Sequence, residues 1–289
     1  MKITAAVYNN KTLEDVYQYI DAAVLMVPHY SYIFEDLDID SAIELCKKSY
    51  IEPILSIQRI FFENELDEIK KFIQKYSDLR FLVSDLGVVQ IFKELDLIEN
   101  VIFDSPTMVC NTLDFDLYCS YGFKAVSMSN EITLQDIKQT FEKTEGSIYY
   151  QVFGRKIMFY SKRRLVDLYK EFRKLAFENK DLRIKEEQRD YEIPNIQSEN
   201  GTFCFWQYFI SLLDEIKDIS FVRYAYFESL TLTNEQYKKV LYIYRNYLRG
   251  SLSLEQSKHE FESLNLPVES GFLYNDSVDA KEKVINETN

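Results

Sequence analysis

Three charged side chains come just after predicted strands, where α/β proteins often place catalytic groups. Asp85, Glu131 and Arg155 each lie within a few residues of the end of an apolar run typical of a buried strand. Two carboxylates there could act as general acid and base, and a guanidinium could bind an anion. We therefore predict Asp85, Glu131 and Arg155 as catalytic residues.

Two more arginines occupy similar positions. Arg59 and Arg223 fall, like Arg155, at or just past the ends of predicted strands. A guanidinium offers a planar fork of N–H donors that binds a carboxylate or phosphate in a bidentate manner. We predict that Arg59 and Arg223 bind substrate. The alternative is that they only hold the loops in which they lie.

Residues suited to amide hydrolysis are scarce. The sequence has two histidines, His29 and His259, and neither belongs to a His-x-x-x-His or His-Glu-x-x-His spacing that would bind a metal. No Gly-x-Ser-x-Gly segment is present to hold a nucleophilic serine on a tight turn. His259 lies in a charged helical context, and a structural role is favoured for His29. The residues therefore predict no metal site and give peptidase activity little support.

Short apolar runs alternate with helical patterns along the chain, and they would position these side chains. The predicted strands are residues 2–8, 22–27, 53–57, 80–84, 101–104, 125–128, 148–153 and 219–224. Such an alternation indicates parallel strands covered by helices on both faces, and eight units close naturally into a barrel. We predict an α/β fold, a single TIM-like (β/α)8 barrel, with an open doubly wound sheet as the alternative.

Some segments break the strand and helix alternation. A long amphipathic helix is predicted at 161–180, a helix at 207–216, and a C-terminal helix at 234–248. Residues 191–197 and 202–206, joined by Asn200-Gly201, predict a β-hairpin. We therefore expect one barrel domain over residues 1–274, with the hairpin inserted at about 190–206 before the last strand. Residues 275–289 form a polar C-terminal tail.

Positive charge is concentrated in one part of an acidic chain. The formal net charge is −13, which disfavours contact with phosphate backbones in general. Between residues 155 and 190, however, 12 Lys and Arg stand against seven Asp and Glu, interleaved with Phe159, Tyr160, Tyr169 and Phe172. This segment is a candidate surface for RNA. The alternative is a solvated helix whose aromatic residues pack in the core.

The cysteines and the hydropathy pattern bear on the compartment. Cys46, Cys110, Cys119 and Cys204 are scattered along the chain, which is typical of reduced thiols. The first residues do not resemble a signal peptide, and the longest uncharged stretches fall short of the roughly 20 residues of a membrane span. We expect a cytoplasmic protein with no membrane segment.

Several stretches, by their order and spacing, resemble the bacterial peptidase family U32, whose catalytic domain is a barrel of this kind. They are residues 81–87 (Phe-Leu-Val-Ser-Asp-Leu-Gly), Ser105-Pro-Thr107 with Asn111, Gly122 followed by 130–134, residues 151–155 (Gln-Val-Phe-Gly-Arg) with Tyr160-Ser161, Arg189 followed by Asn200-Gly-Thr202, and residues 270–274. The resemblance covers nearly the whole chain.

The resemblance implies further site residues that match these motifs. Beside Asp85 and Glu131, the residues implied to contact substrate are Asn111, Tyr160, Arg189, Asn200 and Thr202. Each also has a structural interpretation. Asp85 would cap the following helix, Glu131 would complement a helix N-terminus, and Asn200 would form the hairpin turn.

The sequence also departs from the family pattern. Members that carry an iron–sulfur cluster have cysteines at the places occupied here by Ile157 and Arg164, and only thiolates hold such a cluster. We predict no iron–sulfur cluster. The Lys-Ile-Glu-Gly-Arg type segment after the last strand is here residues 223–227, in which the acid and the glycine are missing.

The resemblance implies two different activities. The short form without cluster cysteines resembles the smaller partner of a pair that hydroxylates the wobble uridine of tRNA, with prephenate as co-substrate. The leading hypothesis is therefore a tRNA-hydroxylation subunit whose partners are a larger U32 paralogue and tRNA. The alternatives are a collagenase-like peptidase and a non-catalytic scaffold for a paralogue.

Overall fold

Eight parallel strands close into a barrel at the centre of the molecule. The computed structural model describes residues 1–105, 108–178, 182–185, 187–188 and 191–275. The barrel strands are β1 Lys2–Val7, β2 Ala22–Met26, β3 Glu52–Ile57, β4 Arg80–Val83, β5 Val101–Phe103, β6 Ala125–Ser127, β7 Ile148–Gly154 and β13 Tyr224–Phe227. The other strands of the described residues are β8 Ile157–Ser161, β9 Leu182–Lys185, β10 Glu192–Ser198, β11 Gly201–Phe205, β12 Phe209–Ser211 and β14 Val268–Glu269. Strands β1 to β7 pair in order, and β13 closes the ring against both β7 and β1.

Helices cover the outside of this barrel. They are α1 Asn10–Val16, α2 Ile39–Lys48, α3 Leu66–Lys75, α4 Leu86–Glu94, α5 Thr112–Ser120, α6 Leu134–Lys143, α7 Leu165–Arg173, α8 Asn234–Leu248 and α9 Leu254–Glu262. The longest helix in the described residues, α8, has 15 residues. None of the helices described is long and apolar enough to cross a bilayer.

The barrel strands are mostly apolar, as expected of strands that are buried on both faces. Alternate residues such as Ala6, Val24 and Leu82 fill the interior of the barrel. Their neighbours along each strand pack against the helices in a larger outer core. The pairing of β13 with both β7 and β1 closes the ring, which confirms the predicted barrel and rules out the open sheet. The first seven strands lie within a residue of their predicted bounds.

An antiparallel sheet of four strands is inserted between β7 and β13. Its strand order is β8-β11-β10-β9, and α7 connects β8 to β9. The predicted hairpin is present as β10 and β11, with Ser198 opposite Gly201. The insertion is larger than predicted, because β8 and β9 pair on either side of the hairpin. The helix predicted at 161–180 is shorter and is α7, Leu165–Arg173.

The inserted sheet lies over the C-terminal end of the barrel. The ring of Tyr160 stacks on that of Phe203 with centroids 4.6 Å apart, and Tyr32, from the loop after β2, packs edge-on against Tyr160 at 5.1 Å. Lys162 Nζ donates to the Ile60 carbonyl, in the loop after β3, over 3.2 Å. The insertion therefore rests on the loops where a barrel carries its functional residues.

Two predictions for the last third of the chain were wrong. The segment predicted as a helix at 207–216 contains β12, which pairs antiparallel with the end of β7. The last barrel strand is Tyr224–Phe227 rather than residues 219–224. Ile219 and Val222 are apolar because they are buried in the outer core. Arg223 therefore precedes the strand and lies at the N-terminal end of the barrel, where its N–H donates to Ile148 O over 2.9 Å.

The chain at the end of β7 passes very close to Glu228, which follows β13. Gly154 has a φ of +115°, and a Cβ atom there would lie 2.5 Å from the Cβ and 2.6 Å from the carbonyl oxygen of Glu228. We expect Gly154→Ala to lower the free energy of unfolding by about 3 kcal/mol, since backbone strain and overpacking add. Gly250 has a φ of +76° and no atom within 4 Å of an added Cβ. Gly250→Ala should therefore cost only about 1 kcal/mol. Equal losses in urea titrations would contradict this account.

Candidate active site

A small cavity opens at the C-terminal end of the barrel, beneath the inserted sheet. It has a volume of about 80 Å³ and is lined by side chains from several barrel strands and the loops that follow them. Its polar lining includes Gln58, Asp104, Tyr149, Arg155, Lys156 and Glu228. The sequence-based predictions name only Arg155 among these six residues.

Asp104 is a half-buried carboxylate in the cavity wall, directly after β5. Gln58 Nε2 donates to Asp104 Oδ2 over 2.6 Å. Burial raises the pKa of Asp104 to about 6, although the Ser127 hydroxyl, the Gln58 amide and the charge of Lys156 all favour the ionised form. A carboxyl with this pKa can exchange a proton near neutral pH.

Lys156 is the most deeply buried cation of the site. Its side chain is 2% exposed, and Nζ lies 3.3 Å from Glu131 Oε1 and 5.6 Å from the centroid of the Trp206 ring. Burial lowers the pKa of Lys156, while Glu131 and the more distant Asp104 oppose that shift. Glu131 is thus held at the rim by Lys156, with half of its own side chain in solvent.

Glu228 directly follows β13, and its buried carboxylate accepts four hydrogen bonds. It accepts hydrogen bonds from the hydroxyls of Tyr8 at 2.9 Å and Tyr226 at 2.7 Å, and from the N–H groups of Ser229 and Leu230. Burial raises the pKa of Glu228, although each of these four hydrogen bonds acts to lower it. Residues 223–227 lack the acid of the family segment, but residues 224–227 are the last strand itself, and the residue directly after them is this glutamate.

The hydroxyl of Tyr149 faces the cavity without a hydrogen-bond partner in the described part of the chain. Tyr149 lies on β7 and is 2% exposed. Burial raises its pKa well above the ordinary value, and the charges of Asp104 and Glu228 add to the shift. A buried polar group without a partner is costly, so this hydroxyl is well placed to bond a ligand or a water molecule.

Arg155 both lines the cavity and ties the insertion to the barrel. Its Nε donates to Thr231 Oγ1 over 2.9 Å, and its Nη1 donates to the carbonyls of Trp206, at 2.8 Å, and Gln207. The guanidinium also stacks over the Phe209 ring at 4.2 Å. These bonds hold Arg155 in one orientation at the cavity wall.

Asp85 and Asn111 act as helix caps. Asp85 accepts from the N–H groups of Gly87 and Val88 at the start of α4, over 2.8 and 3.2 Å. Asn111 accepts from Asp114 N at the start of α5 over 3.0 Å. Neither residue lines the cavity. Within the described residues, Asp85 and Glu131 share no contact, so the structure does not unite them as an acid–base pair.

Four other predicted residues hold the insertion and its neighbouring loops. Arg59 bonds Glu65 over 2.6 Å and the carbonyls of His29 and Ile60. Tyr160 donates to Asn200 O, and Asn200 Nδ2 donates to Ser31 O over 2.8 Å.

Thr202 accepts from Leu165 N at the start of α7 over 2.9 Å. Arg189 lies outside the described residues, and Arg223 lies at the other end of the barrel.

Lys156, Asp104 and Glu228 were not singled out from the sequence. Asp104 and Lys156 each occupy the position that drew attention to Asp85 and Arg155, directly past a strand, and a full list of such positions would have included them. Glu228 was missed because the last strand was placed too early. The pairing of Lys156 with Glu131 spans 25 residues and has no local signal.

The comparisons with known proteins agree on one family. The model of peptidase family U32 matches residues 15–281. The chain belongs to peptidase family U32. A U32 peptidase of known structure, Mk0906, superposes with a TM-score of 0.51 at 10% identity, over 79% of this chain and 92% of that one, which shows the shared fold.

A second similar protein is named for tRNA hydroxylation. The tRNA hydroxylation protein P2 of Bacillus subtilis (strain 168) is 21% identical over 195 residues. The match covers 64% of this U32 chain and 63% of the relative. In the described part of the chain, Cys46, Cys119 and Cys204 form no disulfide, and no cluster of three or more His, Cys, Asp or Glu could hold a metal ion.

The raised pKa of Asp104 gives stability a defined pH dependence. The folded protein holds this proton to about pH 6, whereas an unfolded carboxyl releases it near 3.9. The stabilisation is therefore complete below about pH 4 and is lost as the pH rises through 6. We expect the unfolding free energy of Asp104→Asn minus that of wild type to rise by about 2 kcal/mol from pH 4 to pH 7.5.

Urea titrations of both proteins at the two pH values measure this gain, because the other titrating groups cancel in the difference. Asp116→Asn, at an exposed position of α5, is the control for loss of a surface carboxylate. A difference between wild type and Asp104→Asn that does not change with pH would contradict the raised pKa.

Proposed function

We propose that this U32 protein is a subunit for the hydroxylation of tRNA wobble uridine, with prephenate as co-substrate. The proposal is carried by the cavity at the barrel mouth, where the buried Lys156 lies near a carboxyl that titrates close to neutrality. It is supported by the similarity to a protein named for tRNA hydroxylation. Family membership alone is also compatible with peptidase activity.

The chemistry of the cavity suits a carboxylate. Lys156 brings a buried positive charge, and Arg155 presents a fixed guanidinium. Tyr149 offers a hydroxyl that has no partner among the described residues. A carboxylate that bonds Lys156 Nζ would replace the exposed Glu131 as its counter-ion. Neighbouring Asp104 would then stay protonated, because a second negative charge raises the pKa of a carboxyl.

The size of the cavity limits how such a ligand would bind. A volume of about 80 Å³ is well below the roughly 300 to 1,000 Å³ of a ligand pocket. One carboxylate end of a dicarboxylate would therefore enter, and the remainder would lie in the mouth, beneath the inserted sheet. This arrangement leaves the remainder of the co-substrate outside the cavity, where a second substrate could contact it.

A larger U32 paralogue is proposed as the partner subunit. The chain carries a net charge of −13, so a second subunit would supply part of the surface that binds tRNA. In the proposed pair, this chain contributes the cavity of Lys156 and Asp104. A non-catalytic scaffold is the competing role, and it differs in not needing these two side chains.

The first test is complementation of a strain from which the gene is deleted. We expect deletion to abolish hydroxylated wobble uridine in tRNA, measured by nucleoside mass spectrometry. Lys156→Met should restore at most a tenth of the wild-type level, because it removes a charged ligand contact. It should also fold, since Met is similar in length to Lys and the carboxylate left without a partner, Glu131, is half exposed to solvent rather than buried.

Lys71→Met, at an exposed position of α3, is the matched control and should restore the wild-type level. Full activity of Lys156→Met would favour the scaffold. Unchanged nucleosides in the deletion strain, together with loss of a protease activity, would instead support a peptidase.

The second test is direct binding of the co-substrate. We expect prephenate at ten times its Kd to raise the Tm of the purified protein by about 3 °C. Phenylpyruvate, which lacks the ring carboxylate, should raise it less, and Lys156→Met should abolish the shift. A prephenate shift of equal size in wild type and Lys156→Met would place the ligand elsewhere.

A further inference from the structure

Helix α7 of the insertion displays an apolar stripe that the described chain does not bury. Leu165, Leu168, Tyr169 and Phe172 follow the spacing of one helix face, yet α7 has no buried residue. Phe172 is 82% exposed. A helix with such a stripe normally packs it against another element, and contiguous exposed apolar groups mark interaction sites.

The same segment carries positive charge in a strongly acidic protein. Residues 162–185 include nine Lys and Arg against four Asp and Glu, whereas the whole chain has a net charge of −13. Arg163 lies just before the start of α7, and Arg173 and Lys174 lie at its end. All three side chains are exposed. Local charge of the opposite sign to that of the whole chain favours an anionic partner.

Exposed aromatic rings distinguish RNA from an acidic protein as that partner. Phe159 and Tyr169 are 45% and 51% exposed. Phe159 lies on the outer face of the inserted sheet, because the next residue, Tyr160, points to the other face and stacks on Phe203. Flat rings beside guanidinium and ammonium groups are the combination that binds single-stranded RNA, by base stacking and phosphate contact.

This surface also lies at the same end of the barrel as the cavity. Strand β8 starts at Ile157, one residue after Lys156, and both residues line the cavity. Tyr32, another lining residue, packs against Tyr160 on the inner side of the inserted sheet. An RNA loop on the outer side would therefore lie near the mouth that the proposed reaction uses.

We propose that Phe159, Tyr169, Phe172, Arg163, Arg173 and Lys174 form an insertion face that binds a single-stranded RNA loop. The inference rests on the proposed function for the identity of the RNA, a tRNA anticodon loop. Its physical basis is separate, because none of the six residues lines the cavity.

The test is fluorescence anisotropy of the full chain with a labelled 17-nucleotide anticodon stem-loop. We expect Phe172→Ala to weaken binding about tenfold, which is the loss of one stacked base. Arg173→Glu combined with Lys174→Glu should weaken it further and lower the slope of log K against log salt by about two. A fully paired RNA of equal length should bind more weakly than the stem-loop.

Leu113→Ala is the matched control, since Leu113 is 81% exposed on α5, outside the insertion. Equal affinity of the stem-loop for wild type and Phe172→Ala, or no binding to wild type, would overturn the inference. Binding of the purified larger paralogue that Phe172→Ala abolishes, without any RNA binding, would show a protein interface instead. If the insertion variants lose RNA binding while the deletion strain keeps its hydroxylated uridine, the face stands and the proposed reaction fails.

Discussion

The contact between Gly154 and Glu228 is the constraint on which the functional end of the barrel depends. Strand β7 ends at Gly154, and the chain there passes so close to Glu228 that no Cβ atom fits. The positive φ of Gly154 turns the chain out of the barrel, and Arg155 and Lys156 follow at once. The same glutamate fixes the side chains of Tyr8 and Tyr226. Barrel closure, the position of the insertion and the placement of Lys156 are thus one packing arrangement.

The buried charges of the site differ in how completely the protein satisfies them. Glu228 accepts four hydrogen bonds from protein groups, which suits a structural carboxylate. Lys156 has one ion-pair partner, Glu131, at 3.3 Å and half exposed, and the Tyr149 hydroxyl has no partner in the described residues. Burial without full compensation keeps a group available for a ligand. On this criterion Lys156 and Tyr149 are the strongest candidates for contact with a ligand, and Glu228 has a structural role.

The parts of the fold that follow from local pattern could be predicted, and those that depend on distant packing could not. Seven strands are recognisable because burial on both faces leaves an uninterrupted apolar run. The eighth was misplaced because residues 219–222 have the same character but are buried in the outer core. That error moved Arg223 to the wrong end of the barrel and hid Glu228. Asp85 was recognised as a possible cap because a cap bonds within its own first turn.

The arginines show why residue type and position do not suffice to assign a role. Arg59 and Arg155 follow barrel strands, as expected of ligand-binding residues, but each donates to two backbone carbonyls that shape the rim. A guanidinium held by several hydrogen bonds is rigid. Arg155 can therefore orient a ligand at the cavity wall, but its side chain cannot move when the ligand moves. Lys156 has a single flexible partner and can exchange it at little cost. The site therefore combines a fixed arginine that sets geometry with a lysine whose counter-ion can change. In the proposed function, this combination would let the barrel bind a carboxylate without rebuilding the loops that hold the insertion in place.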